Sequence, residues 1–116
     1  MMYDNGIGVS QNHYKAFEWT EKAAILGSAD AQYTLGLYYD VGNVVKQDSN
    51  KAIEWYEKAA AQEHEIAQFN LGEIYYTGHG GIKQDTKIAL EWYKKSCDNG
   101  HKEACEAYNF LINNSK

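Results

Sequence analysis

The chain contains no arginine: all 11 of its basic residues are lysines, and its formal net charge is −5. Arginine provides the planar, bidentate hydrogen bonds with which proteins most often recognise phosphate groups and guanine. Surfaces that bind nucleic acid are in addition usually basic. An acidic chain without arginine is therefore not expected to bind nucleic acid.

Proline is absent as well, and no apolar run is long enough to span a membrane. The first residues do not form the basic-then-apolar pattern of a signal peptide. We therefore expect no membrane insertion. What the composition offers instead is 10 tyrosines and a hydrophobic fraction of 44%, which favour helices packed through aromatic rings in one modest domain.

Patterns typical of catalysis are also missing, because the sequence has no nucleophile elbow, no H-E-x-x-H and no S-x-x-K. The run GHGG around His79 is interpreted as a glycine turn rather than as a phosphate-binding loop. His64 and His101 are interpreted as surface residues of turns. We expect no enzymatic activity, no cofactor and no metal site.

One heptapeptide recurs three times, as EWTEKAA at Glu18–Ala24, EWYEKAA at Glu54–Ala60 and EWYKKSC at Glu91–Cys97, in steps of 36 and 37 residues. The segments between the copies keep the same step, since AQYTLG from Ala31 matches AQFNLG from Ala67. Self-similarity at this period is typical of a helical solenoid, in which each unit buries its apolar face against the next.

We predict one all-α repeat domain over residues 1–116. Its units are expected at about 1–28, 29–65, 66–102 and 103–116. The first unit lacks its first helix, and the last is a lone helix of the first type.

Each complete unit is predicted to be a pair of helices. In the first helix, Ala31, Leu35 and Tyr39 form an apolar stripe at helical spacing. Gly36 would be costly there unless a neighbouring helix approached closely, and Gly72 repeats it. Close helix contacts are therefore expected at both glycines.

The second helix of each pair is predicted to bury its tryptophan and the tyrosine that follows it, as in Trp55 and Tyr56. Asp48 and Asp85 are expected to cap these helices, with Asn12 in the same role in the first copy. The surface pairs Glu18–Lys22, Glu54–Lys58 and Glu91–Lys95 have the i,i+4 spacing of helical ion pairs.

The turns after the second helices differ at one position. Gly27 and Gly100 stand where a helix commonly ends in a left-handed residue, but Glu63 replaces glycine in the middle copy. We therefore expect the middle turn to differ from the other two.

The repeated pattern is A-x-x-x-L-G-x-x-Y-x-x-G, then a Gly/Val loop, then D-x-x-K-A-x-x-W-Y-x-K-A-A. It resembles the Sel-one-like repeat family, a relative of the tetratricopeptide repeat, over roughly residues 2–112. The resemblance implies a right-handed α-solenoid and a role as a protein–protein adaptor or scaffold. Many bacterial members are exported or work at the envelope, and this favours a periplasmic or secreted location over a cytoplasmic one.

Two other functions stay open at this stage. Cysteine-rich members of the family carry disulfides across the turn between repeats, and some are linked to weak β-lactam binding. A purely structural spacer within a longer protein is the second alternative.

Cys97 and Cys105 lie eight residues apart, in the last turn of one predicted helix and the first turn of the next. An antiparallel pair with a tight turn brings these positions together, so a disulfide is favoured over free thiols. His101 between them allows a third interpretation, a metal site, but three ligands at this spacing fit no common zinc pattern.

In solenoids of helix pairs the first helices line the concave wall, and this wall is the predicted binding surface for another protein or peptide. Its residues are Asp30, Tyr33, Leu37, Asp40, Phe69, Glu73 and Tyr76. The lysines concentrate in the second helices, so a basic or amphipathic partner is favoured. The alternative is that some of these rings only pack on a neighbouring repeat.

The incomplete first unit leaves Tyr14, Phe17 and Trp19 without one covering helix. Terminal repeats normally need a polar outer face. Self-association through this end, or a longer natural chain, is therefore expected.

Overall fold

The computed structural model describes residues 11–114, with side chains from residue 13 onward. Six α-helices and a short 3-10 turn follow one another along this part of the chain. They are α1 (Gln11–Ile25), α2 (Ala29–Val41), α3 (Ser49–Ala60), α4 (Glu65–Thr77), the 3-10 turn His79–Gly81, α5 (Thr86–Asp98) and α6 (Lys102–Asn113). Each helix packs against the next. The predicted all-α architecture of successive helix pairs is confirmed.

Side-chain caps begin the helices where the sequence predicted them. The Asp48 carboxylate accepts a hydrogen bond from the backbone N–H of Lys51, and Asp85 does the same for Ile88, both at 3.1 Å. These bonds satisfy backbone donors that have no partner inside the helix. The side chain of Asn12, which was expected to cap α1, lies outside the described residues.

The predicted close approach at the two helix glycines is confirmed. A Cβ atom added to Gly36 would lie 2.6 Å from the ring of Tyr56, and one added to Gly72 would lie 2.7 Å from the ring of Tyr93. Both rings are buried, with exposed fractions of 0% and 2%. The glycines are therefore sockets that let the second helix insert a tyrosine against the backbone of the first.

The tryptophans are less buried than predicted. Trp55 and Trp92 are half-buried, and Trp19 is 71% exposed. Trp55 and Trp92 each precede a buried tyrosine by one residue, so each tryptophan is rotated by roughly 100° from that tyrosine around the helix axis. A lysine three residues later covers each ring: Lys22 over Trp19, Lys58 over Trp55 and Lys95 over Trp92, at 5.3, 5.6 and 4.9 Å from the ring centroids. The three predicted i,i+4 ion pairs are absent among residues 13–114.

The three turns after the second helices share one backbone conformation. Gly27, Glu63 and Gly100 have φ values of +106°, +65° and +95°. The expectation of a different middle turn is wrong. Glu63 adopts the left-handed conformation that a side chain normally disfavours, because packing of the flanking helices requires it.

A side chain crosses each of these turns to hold it closed. In the first two turns a glutamine amide donates to a carbonyl in the last turn of the helix before: Gln32 to Ala24 and Gln68 to Ala60, each at 3.1 Å. In the third turn Cys97 and Cys105 occupy the same two positions and form a disulfide. The predicted disulfide is confirmed, and it replaces a hydrogen bond that the other repeats make.

Candidate protein-interaction face

The seven residues of the predicted binding surface all lie on α2 and α4, and we call this surface the first-helix face. It comprises Asp30, Tyr33, Leu37, Asp40, Phe69, Glu73 and Tyr76. The charge differs between the two helix types. Both α2 and α4 carry acidic residues and no lysine, namely Asp30, Asp40, Glu65 and Glu73. The second helices α3 and α5 carry both signs, with Lys51, Lys58, Lys87, Lys94 and Lys95 beside Glu54, Glu57, Glu91 and Asp98.

Tyr33 contacts two rings that follow it in the chain, Tyr56 on α3 and His64 just before α4. Its ring stacks on the His64 imidazole, with centroids 4.9 Å apart, and packs against Tyr56 at 5.8 Å. The side chain is half-buried. One part of the ring supports the junction between repeats, and the rest remains accessible.

Phe69 repeats this arrangement one unit later. Its ring stacks on His101 at 4.7 Å and packs against Tyr93 at 5.8 Å. Tyr33 and Phe69 thus pack on the next elements of the chain, which is the alternative considered for them from the sequence. Both rings belong to the first-helix face, and each is held in place by two neighbouring rings instead of being freely exposed.

His64 has a structural role that the sequence interpretation missed. Its Nδ1 accepts the backbone N–H of Ala67 at 3.1 Å, so the imidazole caps α4. Because Nδ1 is an acceptor, the ring proton lies on Nε2, which donates to the Asp30 carboxylate at 3.0 Å. Asp30 itself is 94% exposed at its side chain.

His101 caps α6 in the same way, through Nδ1 and the N–H of Ala104 at 3.2 Å. The interpretation of His64 and His101 as plain surface turn residues is wrong. Ser28 caps α2 at the equivalent position. That alignment of serine with two histidines was the available signal, because serine is a common capping residue and histidine is not.

Asp40 joins three elements at the far end of α2. One carboxylate oxygen accepts the Tyr56 hydroxyl at 3.2 Å, and the other lies 2.8 Å from Nε2 of His79 in the 3-10 turn. Burial of the ring, followed by the negative charge of Asp40, raises the pKa of Tyr56 well above its usual range. The Asp40–His79 contact spans 39 residues, so no local sequence pattern could have indicated it.

Glu73 has the corresponding role one repeat later. It accepts the Tyr93 hydroxyl at 2.6 Å. Burial, and then this hydrogen bond to a carboxylate, raise the pKa of Tyr93 well above its usual range. Leu37 and Tyr76 complete the face, and both are half-buried against core side chains. Of the seven residues, Asp40 and Glu73 line one cavity, while the apolar members pack in two clusters, Tyr33 and Leu37 in one and Phe69 and Tyr76 in the other.

Two cavities open on this side of the molecule. One, of about 250 Å³, is lined among the described residues by Thr34, Leu37, Tyr38, Val41 and Asn43. The other, of about 270 Å³, is lined by Asp40, Asn70, Glu73, Ile74, Thr77 and His79. Their linings have different chemistry, apolar in the first and acidic in the second.

Within residues 13–114, no group of three or more His, Cys, Asp or Glu side chains is arranged to hold a metal ion. His101 is committed to its cap and its stack on Phe69, while Cys97 and Cys105 are bonded to each other. The suggested three-ligand metal site is therefore wrong. In the described part of the chain, no helix combines the length and apolar character needed to cross a membrane.

Comparison with known families gives a match to the Sel1 repeat, at residues 1–28, 29–64 and 66–101. A search of curated proteins finds no significant match. Several solved structures resemble this chain in both fold and sequence.

The chain is similar to a Sel1 repeat protein from Oxalobacter formigenes, with 36% identity and a TM-score of 0.80, over 95% of this chain and 44% of that one. It is similar to a protective antigen of uropathogenic Escherichia coli strains that displays an SLR fold, with 36% identity and a TM-score of 0.81, over 92% of this chain and 23% of that one. It also matches Helicobacter pylori cysteine rich protein B, with 32% identity and a TM-score of 0.76, over 82% and 71% of the two chains. The chain thus spans less than half the length of the first two structures. The predicted right-handed α-solenoid is confirmed.

Proposed function

Because the chain belongs to the Sel1 repeat family, whose members are commonly protein–protein interaction modules, we propose that it binds a partner protein on its first-helix face. Proteins of this family are generally non-enzymatic helical scaffolds. The proposal extends to the character of the partner, which we take to be a basic segment of another protein.

The uniform sign of the charges on α2 and α4 is the observation that carries the proposal. The charged residues of these two helices are all acidic, whereas α3 and α5 carry five lysines beside four acids. A face of one sign attracts a partner of the opposite sign, raises its association rate and makes binding dependent on salt. The half-buried rings of Tyr33 and Phe69 add apolar area that is already fixed in place, so binding orders few side chains.

The disulfide supports a location for this interaction. A bond between Cys97 and Cys105 persists in oxidising compartments and is rare in the cytosol. We propose a periplasmic or secreted site of action.

Affinity capture tests the proposal. The chain is immobilised and exposed to an extract of the source cell, beside two variants that each remove two negative charges. Asp40→Asn with Glu73→Gln changes the first-helix face, and Glu54→Gln with Glu91→Gln changes the exposed side of α3 and α5. We expect one stoichiometric partner that the first variant loses and the second retains. Loss in the second variant alone would place the interaction on the other side of the molecule.

Self-association through α1 is a second proposal, based on exposed apolar side chains at this end. Trp19, Ile25 and Leu26 are 71%, 69% and 87% exposed, although Phe17 packs edge-on against Tyr38 at 5.2 Å. Leu26 stands where Gln62 stands in the next repeat. Sedimentation velocity should therefore detect a dimer that Leu26→Gln weakens. Sedimentation as a monomer at every concentration would contradict this second proposal.

A further inference from the structure

The two cavities on the side of α2 and α4 are the same site in successive repeats. Each described lining residue of the first cavity has a counterpart 36 positions later in the second, as the pairs Thr34 and Asn70, Leu37 and Glu73, Tyr38 and Ile74, Val41 and Thr77, and Asn43 and His79. Repeat symmetry therefore presents two cavities of similar size side by side. A segment that lies along the face meets both.

The chemistry of the two cavities differs because the repeat has diverged at these positions. Leu37, Tyr38 and Val41 give the first cavity an apolar wall, and the Val41 side chain is 71% exposed. At the corresponding positions of the second cavity lie Glu73, Ile74 and Thr77, and Asp40 of α2 adds a second carboxylate. One cavity thus suits an apolar side chain and its neighbour suits a cation.

The carboxylates of the second cavity retain capacity for a further donor. Each accepts one tyrosine hydroxyl, and Asp40 also contacts His79. A carboxylate has about four lone-pair sites. No lysine among residues 13–114 pairs with either group. The chain therefore leaves two negative charges at this cavity that a lysine or arginine of a partner is suited to neutralise.

We propose that the two cavities recognise a bound segment by an ordered pair of side chains, an apolar residue in the first and a lysine or arginine in the second. The occupant is an extended segment of another protein, favoured by charge complementarity with the acidic face. This inference rests on the proposed function and defines the partner more closely. We therefore expect that a segment with the right amino-acid composition does not bind unless its apolar residue and its basic residue also have the correct spacing.

The spacing follows from the fold. Side chains bridge α2 to both ends of α4 through Asp30–His64 and Asp40–His79, although the two helices are not closely packed on each other. Closely packed helices lie about 8–10 Å apart, and an extended chain advances about 3.3 Å per residue. The two side chains are therefore at least about three residues apart.

Selection from a random peptide display library on the folded, disulfide-bonded chain tests this inference. We expect enriched peptides to share an aliphatic or aromatic residue and a lysine or arginine at one fixed spacing of at least about three positions. Enrichment of basic residues alone, of apolar residues alone, or of both at no fixed spacing would overturn the ordered recognition. No enrichment at all would overturn it as well.

Variants then assign each side chain to its cavity. Glu73→Gln keeps an acceptor for the Tyr93 hydroxyl and removes the charge, so a selected peptide should bind about three- to fivefold more weakly. Val41→Asp should weaken the same peptide and strengthen one in which lysine replaces the apolar residue. Glu91→Gln on α5 is the control for loss of charge and should stay within about twofold. Circular dichroism and thermal melting verify that each variant is folded.

The outcomes separate this inference from the proposed function. If peptides bind and the loss at Glu73→Gln is independent of their basic residue, the ordered recognition is wrong while the first-helix face stands. If binding is lost on Glu91→Gln and kept on Glu73→Gln, both are wrong. A dimer of the chain that Glu73→Gln dissociates would assign the cavities to a second copy, and the proposal would fall.

Discussion

At the scale of the residue, two tyrosines connect the core to the first-helix face. Tyr56 and Tyr93 each insert against a helix glycine, pack against a ring of the face and donate a hydroxyl proton to one of its carboxylates. The carboxylate positions are therefore fixed by the same side chains that hold the helix pair together. A binding surface supported in this way loses little conformational entropy when a partner arrives.

The glycine socket predicts a large effect from a single methyl group. Gly36→Ala places a Cβ 2.6 Å from the buried Tyr56 ring, and we expect the free energy of unfolding to fall by about 1–3 kcal/mol despite alanine's better helix propensity. Asn109 occupies the equivalent position in α6 and is exposed. Asn109→Ala is thus the control, with little change in a urea titration. Equal stability of Gly36→Ala and the parent chain would mean that the ring is not held against the glycine.

The strained turn predicts a stabilising substitution. Glu63 has φ of +65°, and Glu63→Gly removes a left-handed side chain that costs about 1–2 kcal/mol, less the greater flexibility of glycine in the unfolded chain. We expect a net gain of about 0.5–1 kcal/mol in the free energy of unfolding. Glu54→Gly, inside α3, should instead lose about 1 kcal/mol. A loss at Glu63 would show that its hydrogen bond from Asn99 outweighs the backbone strain.

Alkaline titration tests the burial of the two tyrosines. Their pKa values in the folded chain are raised above the ordinary value of 10.0, so folding favours the neutral phenols. Their contribution to stability is complete below pH 10 and falls as the pH rises above it, because only the unfolded chain then ionises. The stability of a Tyr56→Phe, Tyr93→Phe variant should decline less steeply above pH 10 than that of the parent. Identical slopes would contradict the assigned burial.

At the scale of the element, the turn between repeats is built to one plan with different side chains. Gln32 and Gln68 close the first two turns with a hydrogen bond, and a disulfide closes the third. Ser28 caps α2, whereas histidines cap α4 and α6. The same turn backbone can therefore be closed by either a hydrogen bond or a disulfide, and the helix that follows it can be capped by either serine or histidine.

Substitution of the disulfide by the repeat's own hydrogen bond tests this equivalence. Cys97→Ala with Cys105→Ala should lower the free energy of unfolding by about 2–3 kcal/mol, the loop entropy of a short cross-link. Cys97→Ala with Cys105→Gln restores the residues of the earlier turns and should recover about 0.5–1.5 kcal/mol of that loss. Guanidinium unfolding of the three proteins measures both steps. If the glutamine variant is no more stable than the alanine variant, the two closures are not equivalent.

The helix pairs and their close contacts were predictable from the sequence, because the sequence repeats with a fixed period. The heptapeptide and the glycines fixed the helix pairs and the close contacts at Gly36 and Gly72. The Asp40–His79 contact was not predictable, because it joins side chains 39 residues apart. The histidine caps are local bonds, and their alignment with Ser28 was a signal that the interpretation missed. The predicted burial of the tryptophans is wrong. Their apolar character and helical spacing indicate a core position, but each ring lies beside the core and is covered by a lysine.

At the scale of the whole molecule, the charge changes from one helix type to the other in the two complete repeats. Helices α2 and α4 carry carboxylates, supported rings and no lysine, whereas α3 and α5 carry lysines and acids together. The same stacking that makes the core continuous places equivalent positions of successive repeats side by side. The residues at those positions differ between repeats, as Leu37 and Glu73 do. The surface therefore presents an apolar site and an acidic site in a fixed order along the repeats.

Mapping the surface that a bound partner covers tests the central claim most directly. A chain of 13.2 kDa suits two-dimensional NMR, in which amide and side-chain signals are followed as the captured partner is titrated. We expect the largest shifts on the first-helix face, at residues such as Tyr33, Leu37, Glu73 and Tyr76, and we expect them to diminish with added salt. Shifts confined to the lysine-bearing side, at residues such as Lys58 and Lys94, would contradict it.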